Sequence, residues 1–243
     1  MTDLAVTPEQ AGHETRAAIV NLASRFMTDA ATYAHGAELG FEGMDFYASG
    51  RGGVLGEVPA DVAAAAFVYF ELELVRSVWE RSALVMPRRR AAEEWAGCCH
   101  TWAREHLPEA FDWPTLAALV GRVSDAAPVA AAPLFAGWRL LPEPGDPREL
   151  AMHRLNGLRE LRGAMHGAAV LTVGLRPLEA IVVGSPAALP VFGWSEPYPE
   201  PEPLHQRWAL AEARTDRMFG RSIAVLDADE RGTLVELLGT LEP

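Results

Sequence analysis

Arg159, Arg162 and His166 lie within LRELRGAMHG, residues 158–167, at separations of three, four and seven. A helix through this stretch stacks all three on one face and puts Glu160 on another. Two guanidiniums beside an imidazole are equipped to hold an anion, with His166 as a general acid or base near neutral pH. The alternative is a solvated basic face, or arginines bridging to acidic helices. Arg51 sits in SGRGGVLG, where glycines let the backbone approach a ligand or another surface closely. That spacing is neither a Walker nor a dinucleotide fingerprint, since it lacks the preceding strand and the lysine. Phe41, Phe46, Tyr47, Phe67, Tyr69, Phe70 and Trp79 concentrate aromatic surface in the first half. Most are core by default; together with Trp138 and Trp194 they are also suited to line an apolar cavity. The candidate ligand-binding residues are therefore Arg51, Tyr47, Phe67, Tyr69, Trp138, Arg159 and Arg162, with His166 as the candidate catalytic group.

Other groupings carry less. Cys98, Cys99 and His100, with His106 further on, resemble metal ligands, but adjacent cysteines reach one metal poorly and no second CxxC pair exists. A helix with two small thiols is the expected reading, with no metal and no cofactor. The two cysteines imply no disulfide framework and fit a reducing compartment. No nucleophile elbow, Ser-His-Asp order or paired-carboxylate motif stands out.

The elements that position these groups read as helices. Apolar residues from Ile19 to Ala30 recur at helical steps and predict a helix over 14–33. A glycine-rich region follows, and Pro59 to Asp61 open a second helix running to about Trp79. A third spans Arg88–His106 and a fourth Thr115–Ser124. Asp146 and Pro147 make an N-cap and first turn for a long helix to Gly174. A short helix at 176–183, an extended proline connector EPYPEPEP at 196–203, and helices at 204–219 and 227–241 complete the chain. The division this suggests is an N-terminal helical half at 1–125, a helix-turn-helix-like segment at 126–195, the connector, and C-terminal helices at 204–243. GFEGMDFYAS from Gly40 echoes GLRPLEAIVVGS from Gly174 at an offset of 134 residues; chance similarity and a duplicated half both account for it.

Residues 158–184 have the spacing of a helix-turn-helix, with Gly174 in the turn and apolar residues locking the helices together. The second helix, Arg176-Pro-Leu-Glu-Ala-Ile-Val-Val, lacks the Arg, Asn, Gln, Ser and Thr side chains that read base edges. The net charge of −12 also argues against a phosphate-binding surface, although a local basic patch survives in some acidic chains. No lysine occurs, so all 21 basic residues are arginine. The polar, acidic N-terminus is unlike a signal peptide and no apolar run is long enough for a membrane span, so the expected location is the cytoplasm.

LRELRGAMHGAAVLTVGLRPLEA, with FYASGRGGVLGEVPADVAAAAFVYF upstream and GWS and AEARTDRMFGRSIAVLDADER downstream, resembles an actinobacterial family of helix-turn-helix proteins distantly like the MarR regulators. The resemblance covers about residues 20–240. Its LRE-x-RG-x-x-H core falls at Leu158, Arg159, Glu160, Arg162, Gly163 and His166. It implies a degenerate, winged MarR-like scaffold with a pocket between helices. Where the winged segment would follow Gly193-Trp194-Ser195, this chain has EPYPEPEPL; Leu161 and Ala164 replace a histidine and an aspartate. The reading is an all-α homodimer of two helical halves that binds a small, anionic ligand and not DNA. The alternatives are a cofactor-independent enzyme of specialised metabolism, using Arg159, Arg162 and His166, and a ligand-responsive regulator. The enzyme alternative requires His166 in an enclosed cavity beside a second titratable group.

Overall fold

The computed structural model describes residues 6–241; the first five residues of the polar N-terminal stretch and the last two of the C-terminal segment lie outside them. Among the described residues every regular element is helical and the fold is all-α. In chain order these are α1 (Pro8–Glu14), α2 (Ala30–Glu38), α3 (Asp45–Gly52), α4 (Ala60–Phe67), α5 (Leu72–Ser82), α6 (Arg88–His106), α7 (Trp113–Ala126), α8 (Pro133–Trp138), α9 (Pro147–Thr172), α10 (Pro177–Gly184), α11 (His205–Ile223) and α12 (Ala228–Thr240). No single described helix is long and apolar enough to cross a membrane.

α9 is the central strut. Asp146 caps it, its carboxylate accepting from the amides of Arg148 and Glu149, and Pro147 takes the first turn where no amide is needed. Ala151, Met152, Leu155, Leu158 and Leu161 are fully buried along it, against α6, α7, α8 and α11. The largest core cluster draws on residues from Ala11 to Leu238, so apolar surface from both ends of the chain meets in one interior. α1 lies on α11 through paired glycines. A Cβ on Gly12 would stand 2.8 Å from the Asp216 carbonyl, and one on Gly220 would stand 2.7 Å from that of Pro8.

Two helices expected to be continuous are broken, and in each case a local cap competes with the helix. Between residues 14 and 33 the chain passes through a π-helical turn, Ala18–Leu22, and a 3-10 turn, Arg25–Thr28, before Asp29 caps α2 by accepting from the Ala31 amide. The apolar stripe is kept: Ile19, Leu22, Phe26 and Met27 are all buried. The stretch opened by Pro59 splits at Val68, which adopts φ 61° and ψ −56°. Tyr69 N–H donates to Phe67 C=O at 2.7 Å, closing a three-residue γ-turn that is strained for a β-branched residue. The Glu71 carboxylate then caps α5, accepting from the Leu74 amide. α3, inside the glycine-rich region, and α8 are short helices that periodicity did not reveal.

The echo at Gly40 and Gly174 has a structural counterpart. Both glycines have positive φ, 98° and 75°. Gly40 N–H donates to Ala37 C=O and Phe41 N–H to Gly36 C=O; Gly174 N–H donates to Leu171 C=O and Leu175 N–H to Val170 C=O. These are the same two reverse bonds of a Schellman cap, at the same offset of 134 residues, and each leads into a short helix, α3 or α10. The chain thus holds two helix–glycine–helix units.

Candidate functional site

The C-terminal half of α9 carries two buried charge clusters. In the first, Arg51 reaches from α3 and grips Glu160 bidentately, Nε to Oε1 and Nη2 to Oε2, both 2.8 Å, while its Nη1 donates to Tyr47 Oη at 3.0 Å. Arg159 donates to Glu160 Oε1 at 2.8 Å. Glu160 is 4% exposed. Burial alone would raise its carboxyl, but Arg51 and Arg159 outweigh that and hold it below the usual carboxylate range. Arg51 lies under Phe67, its guanidinium carbon 5.1 Å from the ring centroid. Two guanidiniums share one carboxylate, so the trio carries a net single positive charge. Arg159 Nε is buried with no hydrogen-bond partner.

In the second cluster Arg162 Nη2 donates to Asp216 Oδ1 at 2.8 Å and to Glu212 Oε2 at 3.1 Å, tying α9 to α11. Arg16 also reaches Glu212, and His13 reaches Asp216. Here the permanent charges balance. His166 packs against Trp208 and Tyr69. Thr215 Oγ1 donates to Ala211 C=O and lies 3.1 Å from His166 Nδ1, while His166 Nε2 stands 3.4 Å from Glu212 Oε1. Burial lowers the His166 pKa although Glu212 acts against it, and the imidazole is neutral in the fold.

A cleft of about 450 Å³ opens beside the first cluster. One wall is Ala64 to Tyr69, the other is Gly163, Ala164, Gly167, Ala168 and Leu171 of α9, and Arg51 and Glu160 form its polar end. The absent side chains on α9 make the space. Nothing lies within 4 Å of where a Gly163 Cβ would be, and a Gly167 Cβ would press on Val68 Cγ1 at 3.1 Å. The two described non-glycine residues with positive φ, Val68 and Ala131, both line this cleft. Strained backbone of this kind clusters at ligand sites.

The candidate residues therefore divide. Arg51, Tyr47, Phe67, Tyr69 and Glu160 meet at or beside the cleft. Arg159 reaches the same cluster by way of Glu160. Arg162 and His166 share α9's helical register with Arg159 but turn to α11, and His166 lines none of the described cavities. Trp138 lies elsewhere: it is buried, its Nε1–H donates to His153 C=O, and it borders a separate polar recess with Arg139, Glu143 and Arg154. Glu160 was legible only as a face away from the arginines, because its partner Arg51 stands 109 residues upstream. His153, 2% exposed and bonded through Nδ1 to His100 Nε2 at 3.0 Å, is a second buried imidazole; burial, then the neighbouring His100, pushes it down to about 3. Among the described residues no group of three or more metal-ligating side chains comes together.

α9 and α10 meet at 111° across residues 173–176, within the range of a helix-turn-helix pair. α10 buries Ala180, Ile181 and Val182 against Leu175, Leu189, Leu204 and Ala211, and Trp208 fills the space beside Gly184. The polar side chains it offers are Arg176 and Glu179, hydrogen-bonded to each other at 3.1 Å. The equivalent helix of the other unit, α3, is interior along most of its length. Residues 185–204 contain two 3-10 turns, Pro186–Ala188 and Glu202–Leu204, and no strand.

A model of a helix-turn-helix family matches residues 13–202, a span that includes both helix–glycine–helix units and the two walls of the cleft. No curated protein and no solved structure matches the chain. The chain belongs to this helix-turn-helix family.

Proposed function

We propose that this member of the helix-turn-helix family is a small-molecule-binding protein whose ligand, an apolar body bearing an anionic group, occupies the cleft between residues 64–69 and α9. One observation carries the reading: an apolar cleft of ligand size ends on the Arg51–Glu160–Arg159 trio, in which a buried Glu160 meets two half-buried arginines and one positive charge is in excess. An unbalanced charge in a low-dielectric interior is costly, and an anion supplies the missing partner while the apolar walls take the rest of the ligand. On this reading the helix-turn-helix pair is structural and does not read DNA. The support is that α10 turns its middle residues into the core, that Arg176 is engaged by Glu179, and that no strand stands where a wing would contact the duplex. The homodimer and the MarR-like descent read from the sequence remain part of the proposal.

Arg159→Gln tests it, because the change restores neutrality to the trio while leaving the Arg51–Glu160 pair intact. Thermal melts against a panel of apolar carboxylates should show stabilisation of the wild type and at least a tenfold weaker effect in Arg159→Gln, with the unliganded variant melting no lower than the wild type. Equal stabilisation of both proteins refutes the anion assignment. Sub-micromolar, sequence-selective binding to duplex from the region upstream of its own gene, at physiological salt, refutes the structural role of α10.

A further inference from the structure

A second cleft, of about 300 Å³, lies on the other side of the segment joining α7 to α8. Its lining is mostly apolar, with Met165 of α9 and Met218 of α11, and the exposed Arg221 stands at its rim. It shares three residues with the first cleft, Ala131 of the connecting segment and Ala164 and Ala168 of α9. The two clefts therefore adjoin along α9 where its side chains are small, with the exposed residues 128–131, Pro-Val-Ala-Ala, beside the shared Ala131. The far cleft also holds a hydrogen-bonding group. Ser222 is 3% exposed and borders it, and its Oγ is buried without a partner. A satisfied interior leaves few such hydroxyls, and one bordering an apolar cavity is placed to meet a ligand.

We infer that the two clefts form one channel for an elongated amphiphilic acid, an acyl chain whose carboxylate lies at the Arg51–Glu160–Arg159 end and whose far end reaches Ser222. This rests on the ligand-binding reading above and narrows its ligand to a chain. From Glu160 to Ala168 α9 advances about 12 Å, and the methionines at the far end adapt to a flexible chain. The length of the channel favours a medium-length acid over a compact aromatic one. A polar terminus is favoured over a bare methyl end, because it satisfies Ser222 Oγ.

The test is calorimetric titration of the full chain with butanoate, octanoate, dodecanoate and 12-hydroxydodecanoate. Affinity should rise toward about fourfold per added methylene, the value for burying a CH₂ group, and the terminal hydroxyl should add about fivefold. Ser222→Ala should abolish that last gain without weakening dodecanoate, and its melt should be no lower than wild type, since an unpartnered hydroxyl is removed. Ala164→Phe, at a half-buried position lining both clefts, should weaken dodecanoate at least tenfold and butanoate far less. If butanoate binds as tightly as dodecanoate, or Ala164→Phe leaves dodecanoate unaffected, the channel is refuted while ligand binding in the first cleft stands. If Ser222→Ala keeps the hydroxyl preference, Ser222 is not the contact and the assignment of the far end fails. If no acid of any length binds, both readings fall together.

Discussion

Removing Arg162 probes the joint between α9 and α11 directly. Its side chain is 5% exposed and bridges Asp216, 7% exposed, and Glu212, 19% exposed. Truncating one partner of a buried pair costs roughly 3–5 kcal/mol, mostly because the other charge is left buried and unpaired. Here the carboxylates keep some company: His13 Nδ1 remains 2.9 Å from Asp216, and Arg16 Nη1 remains 3.2 Å from Glu212. The lower end, about 3 kcal/mol, is therefore expected for Arg162→Met, which retains the apolar stem. For a chain of this size that lowers Tm by about 6–12 °C. Urea denaturation of Arg162→Met, Asp216→Asn and the double variant completes a cycle, and a coupling of at least about 1 kcal/mol between the two sites is expected. If Arg162→Met loses under about 1 kcal/mol and the coupling vanishes, the pair is a solvated surface contact and the α9–α11 joint is held by apolar packing alone.

Glu160→Gln should cost about 3–5 kcal/mol in the same assay, because it leaves Arg51 and Arg159 buried against a neutral amide; a loss under 1 kcal/mol would contradict the burial of the trio. Since the folded Glu160 carboxyl titrates below its unfolded value, its contribution is present above about pH 4.3 and disappears as pH falls through the folded pKa. His153 acts higher on the pH scale. The unfolded imidazole takes up a proton near pH 6.5 that the folded one refuses down to about 3, so stability falls as pH drops through that window. Urea midpoints between pH 7 and 4.5 should therefore decline less steeply in His153→Asn, and identical slopes would exclude a buried neutral imidazole. Ala131→Gly should stabilise the chain by about 1 kcal/mol, since Ala131 has φ 57° and is solvent-exposed; a destabilised variant would show that the strain is absent. Gly220→Ala should cost about 1–3 kcal/mol by forcing α1 away from α11, which a calorimetric melt reads directly.

Much of the helical framework was legible because caps and periodicity agreed. Asp146 with Pro147 fixed the start of α9, Arg88 to His106 coincide with α6, and Asp227 caps α12 as its position before Ala228 suggests. Legibility failed where a polar side chain or a strained turn overrode an unbroken apolar stripe. Asp29 and Val68 did this, and nothing in the spacing of Phe67, Phe70 and Leu74 distinguishes one helix from two. Helical register places Arg159, Arg162 and His166 along one side of α9, but it does not say what faces them, and their partners divide them between two clusters. Arg159 turns to Glu160 on the same helix, whereas Arg162 finds carboxylates 50 and 54 residues away, on α11. The role of Glu160 depended on a partner in α3, and the cleft depended on two absent side chains, at Gly163, which faces open space, and at Gly167, which faces Val68.

The two Schellman-capped units differ in how much of the molecule must move to expose their amides. α3 is enclosed by α5 and α6, and a Cβ on Gly50 would stand 2.8 Å from the Trp95 side chain. α10 is covered on one side, by α9, α11 and the loop after it. Local openings cost little where few buried contacts are lost, and approach the global unfolding free energy where the core itself must part. Deuterium should thus enter the amides of α10 through sub-global fluctuations, while those of α3 exchange only with the whole fold. The same hydrogen-bonded turn, written twice in one chain, would then report two different depths of the free-energy landscape.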